Sequence, residues 1–351
     1  MEQVRLGFVG VGGMGQCAHL KRYTSLPGCQ VVAIAEIREE HGNNVARRYG
    51  VPNVYRDHRD MLASENLDAI VASQPFTRHG VLVPELLRYG LPVFTEKPIA
   101  GSIEAAAKIV SAVENSKGWL MVGYHKRSDP ATMAAKSEID RLRQTGELGA
   151  LKYVRILMPA GDWVAGGFND LISTPGAGPQ LEWDPPASDM SPEVNEAFIS
   201  FVNYYIHQVN LMRHLLGESY TVEYAAPSGV MLAVRSDSGV AGVIEMSPYQ
   251  STIDWNESAL VAFEKGFLQI ELPAPLASNR PGKLTVFKDP GNGQTPQTVM
   301  PTLPWVDAMR QQAINYLAAV RGEGPPMCGA KEAYQDLVAA KEYIDRMHPQ
   351  N

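Results

Sequence analysis

The sequence lacks most of what would take it outside the ordinary globular class. Only three cysteines, Cys17, Cys29 and Cys328, occur in 351 residues. They are odd in number and form no C-x-x-C spacing, which argues against a disulfide framework and for reduced thiols. There is no HExxH and no cysteine cluster, so no metal centre is expected. No Gly-x-Ser-x-Gly elbow offers a serine nucleophile. No apolar run approaches the roughly twenty residues of a membrane span. Lysine and arginine number 31 against 38 aspartates and glutamates, for a net charge of −7. Without a basic stripe, neither nucleic acid nor membrane is an expected partner. Residues 1–10 enter a strand pattern at once and leave no room for a signal peptide, so the cytoplasm is the expected location.

What is present is an alternation. Apolar strand-like runs at 6–9, 30–35, 67–72, 93–94 and 120–122 are separated by helical segments at 16–23, 39–49, 81–89 and 103–115. Strands apolar throughout and joined by helices predict a doubly wound parallel sheet, an N-terminal Rossmann domain over 1–123. Beyond residue 150 short strands follow one another, at 151–158, 221–224, 230–235, 240–246, 259–263 and 267–272. Asp237-Ser238-Gly239 and Glu264-Lys265-Gly266 carry hairpin chemistry. An antiparallel sheet in a second α/β domain, 124–351, is predicted. Helices at 193–216, 305–320 and 330–347 accompany it, and the C-terminal ones are able to pack back on the first domain.

Gly10-Val11-Gly12-Gly13-Met14-Gly15 is a G-x-G-x-x-G between the first strand and a helix. Glu36 ends the second strand, at the distance expected of a carboxylate that accepts adenosine ribose hydroxyls. Gly10, Gly12, Gly13, Met14 and Glu36 are therefore candidate dinucleotide ligands, and NAD is the expected cofactor. Arg38 is able to reach a 2′-phosphate and leaves the choice against NADP to be weighed, with Glu36 tipping it to NAD. Ligands of such sheets lie beyond the carboxyl ends of the strands. Gln74, Pro75 and His79 after the third strand, and Glu96 and Lys97 in Phe94-Thr95-Glu96-Lys97-Pro98, join the cofactor candidates. Lys97 is either a surface lysine ending a strand or an acid–base group for a reacting hydroxyl. Tyr124, His125 and Arg127 follow the next strand and are expected at the substrate, with Arg127 meeting an anionic group or merely a carbonyl.

In "FVNYYIHQVNLMRHLLG", Asn203, His207, Asn210 and His214 fall on one helix face. His207 is a structural histidine or a functional one by spacing alone, and His214 reads as structural. The Pro- and Gly-rich insertion 159–192 carries Trp163, Phe168 and Trp183 among aspartates. These rings either stack on a sugar or pin the loop. The insertion is expected to close over substrate rather than cofactor.

With "GFVGVGGMG", "SQPFTRHGVLVPELLRYGLPVFTEKPIAGS", "VGYHKRSDPA" and the histidine helix, the chain resembles the Gfo/Idh/MocA oxidoreductases, the glucose–fructose oxidoreductase and inositol dehydrogenase group, over essentially its whole length. The resemblance implies an open, mostly antiparallel second sheet that serves for homo-oligomer formation, dimer or tetramer. It also implies a carbohydrate, cyclitol or glycoside substrate oxidised with NAD(P). It makes His207 and Lys97 the catalytic pair, with Asn203 at the substrate. Asparagine stands at 203 and 210 where the family pattern has aspartate, so neither position supplies a base. Two other activities remain beside the dehydrogenase. One is glycoside cleavage through transient oxidation, elimination and re-reduction with retained NAD. The other is a dinucleotide-sensing regulator, against which the presence of both Lys97 and His207 argues.

Overall fold

Val4–Val9 (β1), Cys29–Ala35 (β2), Asn53–Tyr55 (β3), Ala69–Ala72 (β4), Val93–Glu96 (β5) and Leu120–Gly123 (β6) form one parallel sheet in the order β3-β2-β1-β4-β5-β6. β4, β5 and β6 are buried at every position, as strands covered on both faces must be. The computed structural model describes residues 3–175 and 180–349, so positions 176–179 of the expected insertion lie outside the described residues.

The chain divides into two compact units that do not follow its sequence in two blocks. The first comprises Met1–Tyr124, Gly166–Ser191 and Gln312–Gln335. The second comprises His125–Ala165, Pro192–Gln311 and Asp336–Asn351. The first sheet ends before residue 124, and two later pieces, Gly166–Ser191 and Gln312–Gln335, belong with it. The reason for one piece is Tyr316. It is wholly buried beneath the first sheet, donates its hydroxyl to the Ile70 and Pro92 carbonyls, and sets its ring edge-on to Phe94 at 5.6 Å. Burying such a ring is worth about 1.5–3 kcal/mol, enough to fix a helix. The insertion is likewise divided, 159–165 going with the second unit and 166–191 with the first, where Ile172 packs against the core that holds Leu6, Phe8 and Val11.

The second unit is built on eight strands: Leu151–Ala160 (β7), Tyr220–Ala225 (β8), Met231–Ser236 (β9), Ala241–Gln250 (β10), Glu257–Phe263 (β11), Gly266–Leu272 (β12), Lys283–Lys288 (β13) and Gln297–Val299 (β14). Their order is β14-β13-β12-β11-β7-β10-β9-β8. Every neighbouring pair is antiparallel except β7 and β10, which run parallel. A parallel pair needs a long crossover, and β7 leaves the sheet through the insertion and the helix Pro192–Leu216. That helix and Pro130–Thr145, capped by Asp129 at its start and Gly146 at its end, contact one face of the sheet. On the other face Tyr153, Leu157, Leu260, Phe267 and Phe287 alternate with buried residues and are half-buried. The rings of Phe267 and Phe287 stack there at 5.4 Å.

Candidate active site

In the first unit the glycine loop leaves β1 with Gly10 at φ +88°, a conformation that side chains resist. A Cβ there would come 2.0 Å from the Gln74 amide and 2.7 Å from the Ser73 carbonyl; one at Gly15 would come 2.8 Å from the Gly10 carbonyl. These two glycines are required by the turn itself. Gly12 differs, since a Cβ on it would meet nothing within 4 Å. Gly12 also lines the neighbouring cleft, so the open room there leaves space for a pyrophosphate to approach the backbone. Met14 leads into a π-helical turn, Gly15–Leu20, whose residues are all buried. The loop borders a cleft of about 450 Å³ that Glu36, Arg38, Gln74 and Pro75 also line. A dinucleotide fits this set of residues.

Glu36 is 5% exposed and receives four N–H groups. They come from the Val11 amide at 3.3 Å, the Arg38 amide at 3.1 Å, and the Arg38 guanidinium at 2.8 and 3.0 Å. Burial alone would raise its carboxyl, but the bonds from Arg38 and Val11 outweigh it and hold the group below its ordinary range. Four donors occupy about all that a carboxylate accepts. Ribose hydroxyls are therefore accepted only when the part-exposed Arg38 guanidinium moves aside.

Gln74 accepts from Arg78 at 2.8 Å. His79 is fully buried and ties three segments together, through contacts with the Gln74 carbonyl at 3.1 Å, the Ile99 carbonyl at 3.2 Å and the Thr95 hydroxyl at 3.1 Å. Burial pulls its imidazole down to about 4, so the ring is neutral at ordinary pH. The structure thus gives His79 the work of holding the loops at the ends of β4 and β5. Glu96 lies 2.6 Å from His19 Nε2 and accepts the Lys97 amide at 3.1 Å. Burial would raise the Glu96 carboxyl; His19 reverses the shift and keeps it ionised. Lys97 follows half-buried, at the end of a strand whose last side chain is a locked carboxylate. Tyr124, 2% exposed, ends this stretch of the unit.

In the second unit the turn His125–Ser128 is buried throughout. Arg127 donates to Asn210 Oδ1 at 2.7 Å, Asn210 to Asp336 at 2.6 Å, and Arg213 to Asp336 at 2.7 Å. Arg127 and Asn210 are thereby committed to one another and to Asp336. The asparagine at 210 replaces no missing base: it couples a guanidinium to a buried carboxylate. His207 lies half-buried on the same helix, its ring 4.3 Å from that of His125 and nearly perpendicular to it. Asn203 is exposed, and Trp163 is 36% exposed. His214 is held neutral, burial pushing its imidazole well down with Arg127 adding to the effect.

The sequence reading missed a further buried group. Lys126 forms an ion pair with Glu257, which also accepts from Gln208 at 2.7 Å and the Trp255 indole at 3.2 Å. Trp255 and Glu257 border a recess of about 250 Å³ together with Asp162, Arg280 and Lys283. Lys126 and Glu257 are 131 residues apart, so no local motif announces them. Among the described residues no cluster of histidine, cysteine and carboxylate side chains is placed to hold a metal.

Residues 4–124 match the model of an oxidoreductase family with an NAD-binding Rossmann fold. The inositol 2-dehydrogenase of Rubrobacter xylanophilus is 35% identical over 150 residues, which are 42% of this chain and 42% of that enzyme. The chain thus spans less than half the length of that relative. The scyllo-inositol 2-dehydrogenase (NAD(+)) of Bacillus subtilis is 26% identical over 260 residues, 70% of this chain and 68% of the other. The crystal structure of Lactobacillus casei myo-inositol dehydrogenase in complex with NAD(H) and myo-inositol superposes with a TM-score of 0.68. It covers 99% of this chain and 96% of its own at 21% identity, and so speaks to the fold.

Proposed function

We propose that this chain, whose residues 4–124 match the NAD-binding Rossmann model of an oxidoreductase family, is a Gfo/Idh/MocA-type, NAD-dependent dehydrogenase of a cyclitol or sugar hydroxyl. The observation that carries the proposal is the first unit's own arrangement: a glycine loop with open room at Gly12, the carboxylate of Glu36, and a strand ending in Glu96 and Lys97. The Rubrobacter xylanophilus and Bacillus subtilis relatives described above act, by name, on inositols.

NAD, when bound, supplies an acceptor for the hydride of the carbinol carbon. The hydroxyl proton is the protein's task. His207 takes it, and the His125 ring beside it limits how the imidazole turns. Lys97, whose amide Glu96 accepts while Glu96 also meets His19, is the first unit's own acid–base candidate. Asn203 offers a hydrogen bond without charge. The recess lined by Trp255, Asp162, Arg280 and Lys283 has the mixture of one indole face and charged donors and acceptors that suits a polyhydroxylated ring. The half-buried outer face of the second sheet, with the Phe267–Phe287 stack, supports a homo-oligomer formed through it. Three buried cysteines without a disulfide suit a reducing cytoplasm.

His207→Ala tests the assignment. It removes most of the turnover, and the parent enzyme loses activity as pH falls through the imidazole range, whereas Asn203→Asp preserves it. Unchanged turnover and pH profile in His207→Ala would move the base elsewhere, Lys97 or Tyr124 first. Redox-neutral glycoside cleavage with retained NAD is the second reading, favoured by the way the insertion joins the dinucleotide unit. Release of an aglycone without net NADH would select it.

A further inference from the structure

Residues 166–191 carry no recognised motif, yet both of their described stretches are fastened around the glycine loop and its cleft. A Cβ built on Gly13 would lie 3.8 Å from the Phe168 ring. The Gln16 side chain bonds the Ile172 main chain in both directions, each at 3.2 Å. His41, whose Nε2 lies 3.0 Å from the Val11 carbonyl, meets the Thr174 hydroxyl at 3.1 Å through Nδ1. Asp170 accepts from Lys21 at 2.9 Å and from Arg48 at 3.3 Å. In the second stretch Arg78 donates to the Glu182 carbonyl at 3.2 Å, and Asp184 accepts the Gly80 amide at 3.0 Å. Asp184 also donates its own amide to the Thr77 carbonyl at 2.9 Å. The cleft that holds Gly12, Glu36 and Gln74 is lined by Gln180, Leu181 and Glu182 as well.

We propose that residues 168–174 and 180–184 form the outer wall of the dinucleotide site, with Phe168 closing on the phosphate loop, and that this wall retains the cofactor between turnovers. The proposal rests on the reading that the first unit binds NAD. Its logic is kinetic. Gln16 and His41 both reach the Val11 carbonyl within the glycine loop and, at the same time, the wall, so a bound pyrophosphate leaves only when several of these ties open together. The carboxylate of Asp170 sits below its ordinary range because Lys21 donates to it, with Arg48 adding its charge, so the tie persists across neutral pH. Opening of the wall, rather than hydride transfer, then sets how fast fresh NAD is supplied. The first turnover precedes a slower steady rate.

The experiment is a chase. Protein loaded with NADH is mixed with excess NAD, and the fluorescence of bound NADH is followed in the parent, in Phe168→Ala and in Asp170→Asn/Thr174→Val. The expected result is slow release from the parent and release at least about tenfold faster from the double variant, with association little altered. The double variant changes only part-exposed polar ties and keeps the test in force should Phe168→Ala fail to fold. Equal release rates in the parent and the double variant would overturn the retaining role and leave NAD binding intact. Failure of the parent to bind NADH at all would overturn both.

Discussion

Glu36→Ala perturbs the cofactor end of the site at one atom group. The parent carboxylate is buried and gathers Val11 and Arg38 around it. On the proposed reading it exchanges the guanidinium of Arg38 for ribose hydroxyls when NAD binds. A hydrogen bond to a charged group is worth about 1.5–3 kcal/mol, and each 1.4 kcal/mol is roughly tenfold in affinity. Loss of Glu36 should therefore weaken NAD about ten- to a hundredfold. NADP should move the other way. The variant presents its 2′-phosphate with an Arg38 no longer neutralised and removes a carboxylate that repels it. Fluorescence titrations with NADH and NADPH measure both, and a thermal midpoint beside them shows whether the unpartnered Val11 amide has cost stability. NADP binding more tightly than NAD in the parent, with neither affinity changed in Glu36→Ala, would refute the reasoning.

Lys97→Ala should lower turnover by at least about a hundredfold while NAD affinity stays within a few-fold, as loss of an acid–base group does; near-normal turnover would return Lys97 to a strand-ending surface lysine. His79 supplies a pH dependence of known sign. Its folded imidazole, brought down to about 4 by burial, titrates below the ordinary 6.5, so the stability it contributes is complete above that value. That stability drains as pH falls from 6.5 towards 4, and urea midpoints over this window should decline more steeply in the parent than in His79→Gln. Asp336→Ala should destabilise the second unit by about 3–5 kcal/mol, since it leaves Arg213 buried without its carboxylate; a thermal midpoint within a degree of the parent would show that the Arg127–Asn210–Asp336 chain is not a structural anchor.

The cofactor half of the site was legible because its signals are local. Gly10 and Gly15 sit where the turn forbids a side chain, Glu36 ends a strand of continuous apolar character, and Phe94-Thr95-Glu96-Lys97 closes another. What escaped depends on partners far along the chain. Asn210 looks like a ligand on its helix face, yet its amide is spent on Asp336, 126 residues away. His19 looks like an ordinary helical residue, yet it lies on Glu96, 77 residues on. The helix Pro130–Thr145 did carry readable signals, Asp129-Pro130 before it and Gly146 after it, whereas β14 is a three-residue exposed edge strand with no period to read. The insertion was ambiguous for a physical reason. Aromatic rings and carboxylates suit sugar recognition and loop anchoring equally, and only the bonds of Asp170, Ile172 and Thr174 reveal that the 166–175 stretch is fastened to the dinucleotide unit.

The most direct test of the account follows the hydride itself. NAD-loaded protein is mixed with inositols and aldoses deuterated at each carbinol carbon in turn, and the nicotinamide is recovered by denaturation, so that a retained cofactor is counted as readily as an exchangeable one. The account predicts that at least one polyol builds the absorbance of reduced nicotinamide within a single turnover and delivers its deuterium to the nicotinamide C4, and that Lys97→Ala and His207→Ala both slow this step. A nicotinamide that stays oxidised and free of deuterium with every polyol, in a protein that binds NAD, would contradict it.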